Sequence, residues 1–436
     1  MVSDMELLSR FNGLARVIRI VPLIVVLAAA QAQAQDGKKQ QDPVRLVMED
    51  GPSLRFGQFL RVDFRGKIQA DLRTLSPNFA TKEGDFEMSR IRFGIKGQFL
   101  KHVNYEVERE FRDAVVGRPV KYPWRDVSVD IDYLDNFQFK IGKFKVPFSM
   151  EQLASSSELE FVNRSRIADD LAPARDTGAV LHGRFFKRGL GYEAGVFRSD
   201  GENSESSSGV RGSLTWATRV TATPLRVFSL PWSLDEAEFG AAVVSTKVAD
   251  GLNSLRGNTI AGYDFFQHVP IKGPRVRIGA EANWRPGPFS LQSEFIYVSE
   301  SREGQSVRAG NLPKKISQGW YVAGTWAITG ESKKSGIEPR RPFLTRGIGA
   351  IELAVRYENI SFGSTDRSGT PFRSPRASNL WRNSDAVWTA GINWYLNRWS
   401  RIQINGVRET IEDVTRSPIP GRERFLTGVA RLQFSM

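Results

Sequence analysis

The 436-residue chain carries 61 Lys and Arg against 48 Asp and Glu, a formal charge of +13, with 40% of its residues hydrophobic. That balance is ordinary for a water-soluble protein, so overall composition excludes neither a soluble nor a membrane fold. The absence of cysteine excludes disulfides and thiolate metal sites, and three scattered histidines (His102, His182 and His268) form no ligand set, so neither a metal nor a cofactor is expected.

In chain order, residues 1–34 read as a secretory signal peptide. Arg10, Arg16 and Arg19 form a positive n-region, residues 20–30 (IVPLIVVLAAA) are an apolar run too short to span a bilayer comfortably, and Ala32 or Ala34 offers the cleavage site. Removing them takes away three Arg and two acids and leaves a basic remainder. Residues 35–54 (QDGKKQQDPVRLVMEDGPSL) are polar and charged, a flexible periplasmic lead-in. Residues 55–436 then hold stretches of about ten residues with period-two alternation, separated by turn-rich segments.

The first of these, LRVDFRGKIQA, sets Leu60, Val62, Phe64 and Ile68 on one face and Arg61, Arg65 and Lys67 on the other. Its successor SRIRFGIKGQFL sets Ile91, Phe93, Ile95 and Phe99 against Arg90, Arg92 and Lys96. Next come two strands with an acidic face, Glu106, Glu108 and Glu110 in one and Asp126, Asp130 and Asp132 in the other. These acids either hold neighbouring Arg and Lys side chains through salt bridges or offset their charge. Residues 147–176 break the alternation, and periodicity leaves open whether this loop narrows a lumen, with Arg164, Arg166 and Arg175 as its cations, or caps it from outside. Further on, Arg275 and Arg277 lie opposite Val276 and Ile278, while GWYVAGTWAI and VWTAGINWYLN place Trp320 and Trp326, and Trp388 and Trp394, on apolar faces.

A soluble sandwich also alternates, turning its apolar face to a core. Export, the lack of helices and the Trp and Tyr near strand ends favour a transmembrane barrel instead. Seventeen stretches qualify as strands, from 55–71 to 423–434, and bacterial barrels need an even number. Assigning residues 258–269 to an outer loop restores the alternation of short turns and long loops, which predicts a sixteen-stranded antiparallel transmembrane β-barrel. One connection stays awkward, because residues 330–346 become a long turn on the short-turn side. Lipid charges about 2 to 4 kcal/mol for an Arg or Lys at mid-depth, so the basic faces line water, and cations on the inner wall attract anions.

The stretches KFKVPFSMEQLASSSELEFVNRS and LAPARDTGAVLHGRFFKRGLGYEAGVF resemble the phosphate-selective porins of the O and P type. FEMSRIRFGIKGQFLKHVNYEVERE is similar to that family's early Arg-rich strand and its successor, and WAITGESKK with GAIELAVRYENI resembles a later paired signature. The resemblance implies a trimeric outer-membrane barrel with an inward-folded loop, conducting anions such as phosphate, with Arg164, Arg166 and Arg175 in the matching loop and Arg90 and Arg92 in the matching strand.

Taken together, the sequence predicts a porin for passive diffusion of small anions, phosphate or polyphosphate favoured. The anion-conducting lumen is expected to hold Arg61, Arg65, Lys67, Arg90, Arg92, Lys96, Arg275 and Arg277. Expected partners are small anions, outer-membrane lipid and two further copies of the chain, and not nucleic acid, since the basic residues are interleaved with membrane-type strands. Alternatives are a weakly selective general diffusion porin and a plugged structural or adhesive barrel. An enzyme is not expected, because no histidine sits in a recognisable nucleophile and base constellation.

Overall fold

The computed structural model describes residues 44–48, 51–76, 86–112, 120–204, 213–228, 230–334, 336–343, 345, 347–419 and 421–436. The signal peptide expected over residues 1–34 lies outside them, as does most of the lead-in over 35–54.

Sixteen antiparallel strands form the wall: β1 (Leu60–Ser76), β2 (Phe86–Phe99), β3 (Val103–Glu110), β4 (Trp124–Leu134), β5 (Phe137–Lys145), β6 (Arg175–Phe185), β7 (Leu190–Phe197), β8 (Thr215–Ala222), β9 (Glu238–Gly251), β10 (Ile271–Trp284), β11 (Phe289–Arg302), β12 (Leu312–Ala327), β13 (Ala350–Ser364), β14 (Asn383–Tyr395), β15 (Ser400–Ile411) and β16 (Arg424–Ser435). Each pairs with its neighbour in sequence, and β16 returns to β1 with Arg431 opposite Asp71 and Gln433 opposite Gln69. Closure leaves no row of unpaired backbone groups, which hydrocarbon does not solvate. Between β5 and β6 lie two helical turns, α1 (Met150–Leu153) and α2 (Arg166–Asp170).

The burial pattern inverts that of a soluble protein. Phe93 on β2 is 48% exposed while its neighbour Arg92 is 8% exposed, and Trp320, Val322 and Trp326 on β12 are exposed where Lys315, Ser317 and Thr325 are covered. A closed wall with an apolar exterior and a covered polar interior is stable in hydrocarbon, where the exterior costs nothing to expose. At the short-turn end the exterior carries an aromatic belt that includes Phe137, Phe186, Phe289, Trp326 and Trp399, with Phe289 stacked on Trp326 at a centroid distance of 5.8 Å. Phe93 is near the middle of β2, so Phe93→Arg is expected to lower the stability of the folded barrel by about 2 to 4 kcal/mol. Heat-modifiable mobility on gels reads this directly, and unchanged folding yields would reverse the assignment of faces.

Several strands run further than the alternation suggests, and mostly at the long-loop end. The stretches 274–286, 288–299, 317–329 and 347–361 become β10 to β13, which gain Ile271, Arg302, Leu312 and Ser364 as termini. There the outward positions turn polar, as at Lys272 and Lys314, while the hydrogen-bonded ladder continues. Apolar alternation marks the thickness of the hydrocarbon; backbone pairing extends beyond it. At the N-terminal side, the stretch 55–71 is divided into a short strand, Pro52–Phe56, which pairs back on β1, and β1 itself.

Residues 258–269 contribute no wall strand. They hold part of a small hairpin, Gly257–Asn258 with Asp264–Phe266, in the β9–β10 connection. The opposite end has tight turns such as 285–288, where Gly287 takes φ +60, a value Gly adopts without strain. Two longer connections share that end, residues 223–237 and 328–349.

Candidate functional site

Segment 146–174, which carries α1 and α2, is bound to inward-facing side chains from several parts of the wall. Gln69 donates to the Ser156 carbonyl at 3.1 Å, Gln433 to Ser157 at 3.1 Å, Gln403 to Leu159 at 3.3 Å and Asn393 to Glu160 at 2.8 Å. Asn405 Oδ1 accepts from the Val162 amide at 2.8 Å, and Arg431 donates to its carbonyl at 2.8 Å. Amide side chains suit this work, since each satisfies a backbone group that has no partner strand and adds no charge. Apolar contacts complete the fit: Phe148 and Ile167, both fully buried, rest on Gly279 and Gly319. A Cβ at Gly319 would lie 2.5 Å from Ile167 Cγ2 and from the Asn359 carbonyl oxygen, so only Gly fits there. Glu151 joins the two helical turns, accepting from Ser165 N at 2.9 Å and Ser165 Oγ at 2.5 Å, and it meets Arg356 at 3.1 Å.

Two polar cavities, of about 680 and 700 Å³, adjoin this segment. Both are lined by Arg65, Lys67, Glu108 and Glu158, so they meet at the inner wall of β1 and β3. The first opens among turn-end residues such as Lys334 and Arg398; the second extends along β2 to β6.

Charge in the second cavity is close to balanced by residue type, so the pairing decides its character. Most of its carboxylates are committed. Glu108 holds Arg92 at 3.3 Å, joined by Glu110 from outside the cavity at 2.8 Å; Asp126 holds Arg175 at 2.6 Å, and Glu202 holds Arg125 at 3.2 Å and, beside the cavity, Lys143 at 2.5 Å. Glu106 lies 3.5 Å from Arg65, and Asp130 2.9 Å from His182. Four cations have neutral acceptors instead. Lys67 donates to Ser155 Oγ at 3.0 Å, Arg90 to Gln69 Oε1 at 2.8 Å, Lys145 to the Leu153 and Ala154 carbonyls at 2.8 and 2.6 Å, and Arg164 to the Glu151 and Ala154 carbonyls at 3.0 and 2.7 Å. Burial lowers the pKa of the Arg164 guanidinium, with Arg175 and Arg92 pushing the same way against Asp169 and Glu151. These four cations are held in place by neutral oxygens, with carboxylates such as Asp169 and Glu158 near them but not bonded to them.

Of the residues singled out from sequence, Arg65, Lys67, Arg90, Arg92, Arg164 and Arg175 line the second cavity together. The other five line neither cavity. Arg61 pairs with Asp63 at 3.0 Å near the turn end, and Lys96 is exposed, opposite Asp63 and Glu106 in register. Arg166 binds Asp169 at 2.7 Å and the Asn258 and Thr259 carbonyls at 3.4 and 3.3 Å. Arg275 and Arg277 are fully covered: Arg275 binds Glu300 at 2.6 Å, Arg277 the Leu171 carbonyl at 2.7 Å, and both meet Asp200. Their charges hold residues 171 and 200 against β10 and face no open space. Sequence reasoning missed Lys145, because it shares parity with Phe139 and Ile141 on the lipid face; it is the last residue of β5 and reaches the following segment. Its only sequence signal is its place in KFKVPF. The inward amides Gln69, Asn393, Gln403 and Gln433 were missed too, since uncharged polar residues look alike whether they face water or a loop.

A family model described as phosphate-selective porin O and P matches residues 62–435. The chain belongs to the phosphate-selective porin O and P family. It is thus an outer-membrane porin. Porin O of Pseudomonas aeruginosa is 23% identical over 430 residues, covering 89% of this chain and 92% of the relative. Among solved structures, an anion-selective porin from Comamonas acidovorans superposes with a TM-score of 0.52 at 12% identity, covering 86% of this chain and all of that one. The trimer form of OmpT, an outer membrane protein of Vibrio cholerae, gives 0.54 at 10% identity, covering 87% of this chain and all of that one. At such identities these two structures share its fold, and they are outer-membrane barrels as this chain is.

Proposed function

We propose that this porin conducts small anions passively, phosphate favoured, along the wall of β1 to β6, and that segment 146–174 is the inward-folded loop that narrows the path. The observation that carries this reading is the group Lys67, Arg90, Lys145 and Arg164, whose hydrogen bonds, among the described residues, go to hydroxyl, amide and carbonyl oxygens and not to carboxylates. Such acceptors fix the cations in place without a direct bond to a carboxylate, so their donors can turn to an entering anion. A phosphate exchanges neutral acceptors for its own oxygens with a modest net gain, which favours entry without trapping the ion. The Arg forks and the Lys ammoniums supply donors for several phosphate oxygens at once. Trimeric assembly is part of the same proposal, supported by the trimer form of OmpT among the proteins of this fold. No chemical step is required of the lumen, and the reading is of a channel rather than an enzyme.

Reversal potentials in a planar bilayer under a chloride gradient test it. Anion preference is expected, and added phosphate is expected to lower chloride conductance by occupying the Lys67 to Arg164 group. A cation-preferring channel, or chloride current indifferent to phosphate, would count against the reading.

A further inference from the structure

The long connection 328–349 stands out at an end of the barrel where most turns need only two to four residues. Its main chain is held against neighbouring turns: the Lys333 amide donates to the Gly287 carbonyl at 2.8 Å and the Phe343 amide to the Leu396 carbonyl at 2.7 Å. That placement sends one side chain back into the barrel. Lys333 is 5% exposed, and its ammonium meets Glu160 of segment 146–174 at 2.5 Å, Glu352 of β13, Ser290 Oγ of β11 at 3.0 Å and Thr325 Oγ1 of β12. Glu352 is held from its other side by Asn393 at 2.8 Å and Tyr395 at 2.9 Å, and Asn393 also donates to the Glu160 carbonyl. Glu160 and Lys333 both line the turn-end cavity that joins the basic group at Lys67.

We infer that Lys333 is a specificity-determining residue: an internal counter-ion delivered by the 328–349 turn, which offsets one of the two negative charges of Glu160 and Glu352 beside the anion path and pins segment 146–174 to the wall. This rests on the anion-channel reading and adds to it a reason for the long turn. An ammonium has three protons, enough to serve two carboxylates and a hydroxyl. Without it, two carboxylates share a covered site lined by Ser290 and Thr325, and the wall that an anion passes gains uncompensated negative charge. Glu160 would also lose its tie to the turn, freeing the segment on this side.

Lys333→Met is expected to lower the anion-to-cation permeability ratio roughly threefold, the size of one charge acting across a water-filled pore of high dielectric constant. Lys333→Arg should keep most of the ratio, and the double variant Lys333→Met with Glu160→Gln should recover most of it. Should Lys333→Met fail to assemble, Glu160→Gln alone serves: it leaves Lys333 a single carboxylate and is expected to raise anion preference. An unchanged ratio in the single variants, or a loss in Lys333→Met that Glu160→Gln does not relieve, would overturn the inference. A wild-type channel that does not prefer anions would instead overturn the function proposed above, because the Lys333 effect is read as a difference between variants.

Discussion

Replacing Lys67 and Lys145 together by Gln should lower the anion-to-cation permeability ratio about thirtyfold and largely remove the block of chloride current by phosphate. Two charges about 8 Å apart interact by about 0.5 kcal/mol in water and about 2 kcal/mol at the effective dielectric constant of a protein surface. A passing ion meets both cations, so even the weaker estimate gives a loss of about 1 kcal/mol for the anion and a similar gain for the cation. The variants also remove ammonium donors whose present acceptors are Ser155 Oγ and the Leu153 and Ala154 carbonyls, so phosphate loses direct partners as well as field. Arg61→Gln is the matched control: Arg61 lies outside both cavities with Asp63 at 3.0 Å, and it should change the ratio by less than about twofold. Reversal potentials and phosphate titration of single channels check all three proteins, with heat-modifiable mobility confirming that each barrel has folded. A double variant as anion-preferring as the wild type would move the selective group elsewhere.

The wall was readable in the sequence because lipid imposes a rule on each strand separately. Residues as far apart as Phe93, Trp320 and Trp388 face outward for the same reason, and the period-two pattern reports it locally. Counting loops and turns even sufficed to remove 258–269 from the wall. The interior obeys no such local rule. Which cation finds a carboxylate depends on contacts across the barrel: Arg92 meets Glu110 from the adjacent strand, but Arg275 and Arg277 meet Asp200 from a loop more than seventy residues away. Alternation placed those two arginines on the inner face and was silent about the loop that covers them. Lys145 and Lys333 mark the same limit from the other direction. One lies at the end of a strand, where alternation puts it on the lipid face, and the other in a turn, where alternation says nothing, yet both ammoniums reach segment 146–174.

Asp71→Ala should be among the most destabilising single substitutions in the barrel, at about 3 to 5 kcal/mol. Asp71 on β1 is fully covered and faces Arg431 on β16 in register, at the seam where the sheet closes. Arg431 donates to both its oxygens, at 2.6 and 2.7 Å, in the two-pronged geometry that suits a guanidinium and a carboxylate. Arg73 lies 3.8 Å from the same carboxylate. Removing Asp71 takes the carboxylate from the Arg431 guanidinium in a site with little access to solvent, and uncompensated buried charge is the costly outcome, more than the loss of the pair itself. The double variant Asp71→Ala with Arg431→Leu is therefore expected to regain much of the stability in urea unfolding. It should not regain the channel's steady conductance, because Arg431 also donates to the Val162 carbonyl of segment 146–174 and Leu leaves that bond unmade. Recovered stability with noisier, larger openings would separate the two duties of Arg431, closing the wall and holding the segment. Recovery of both together would assign it to the seam alone.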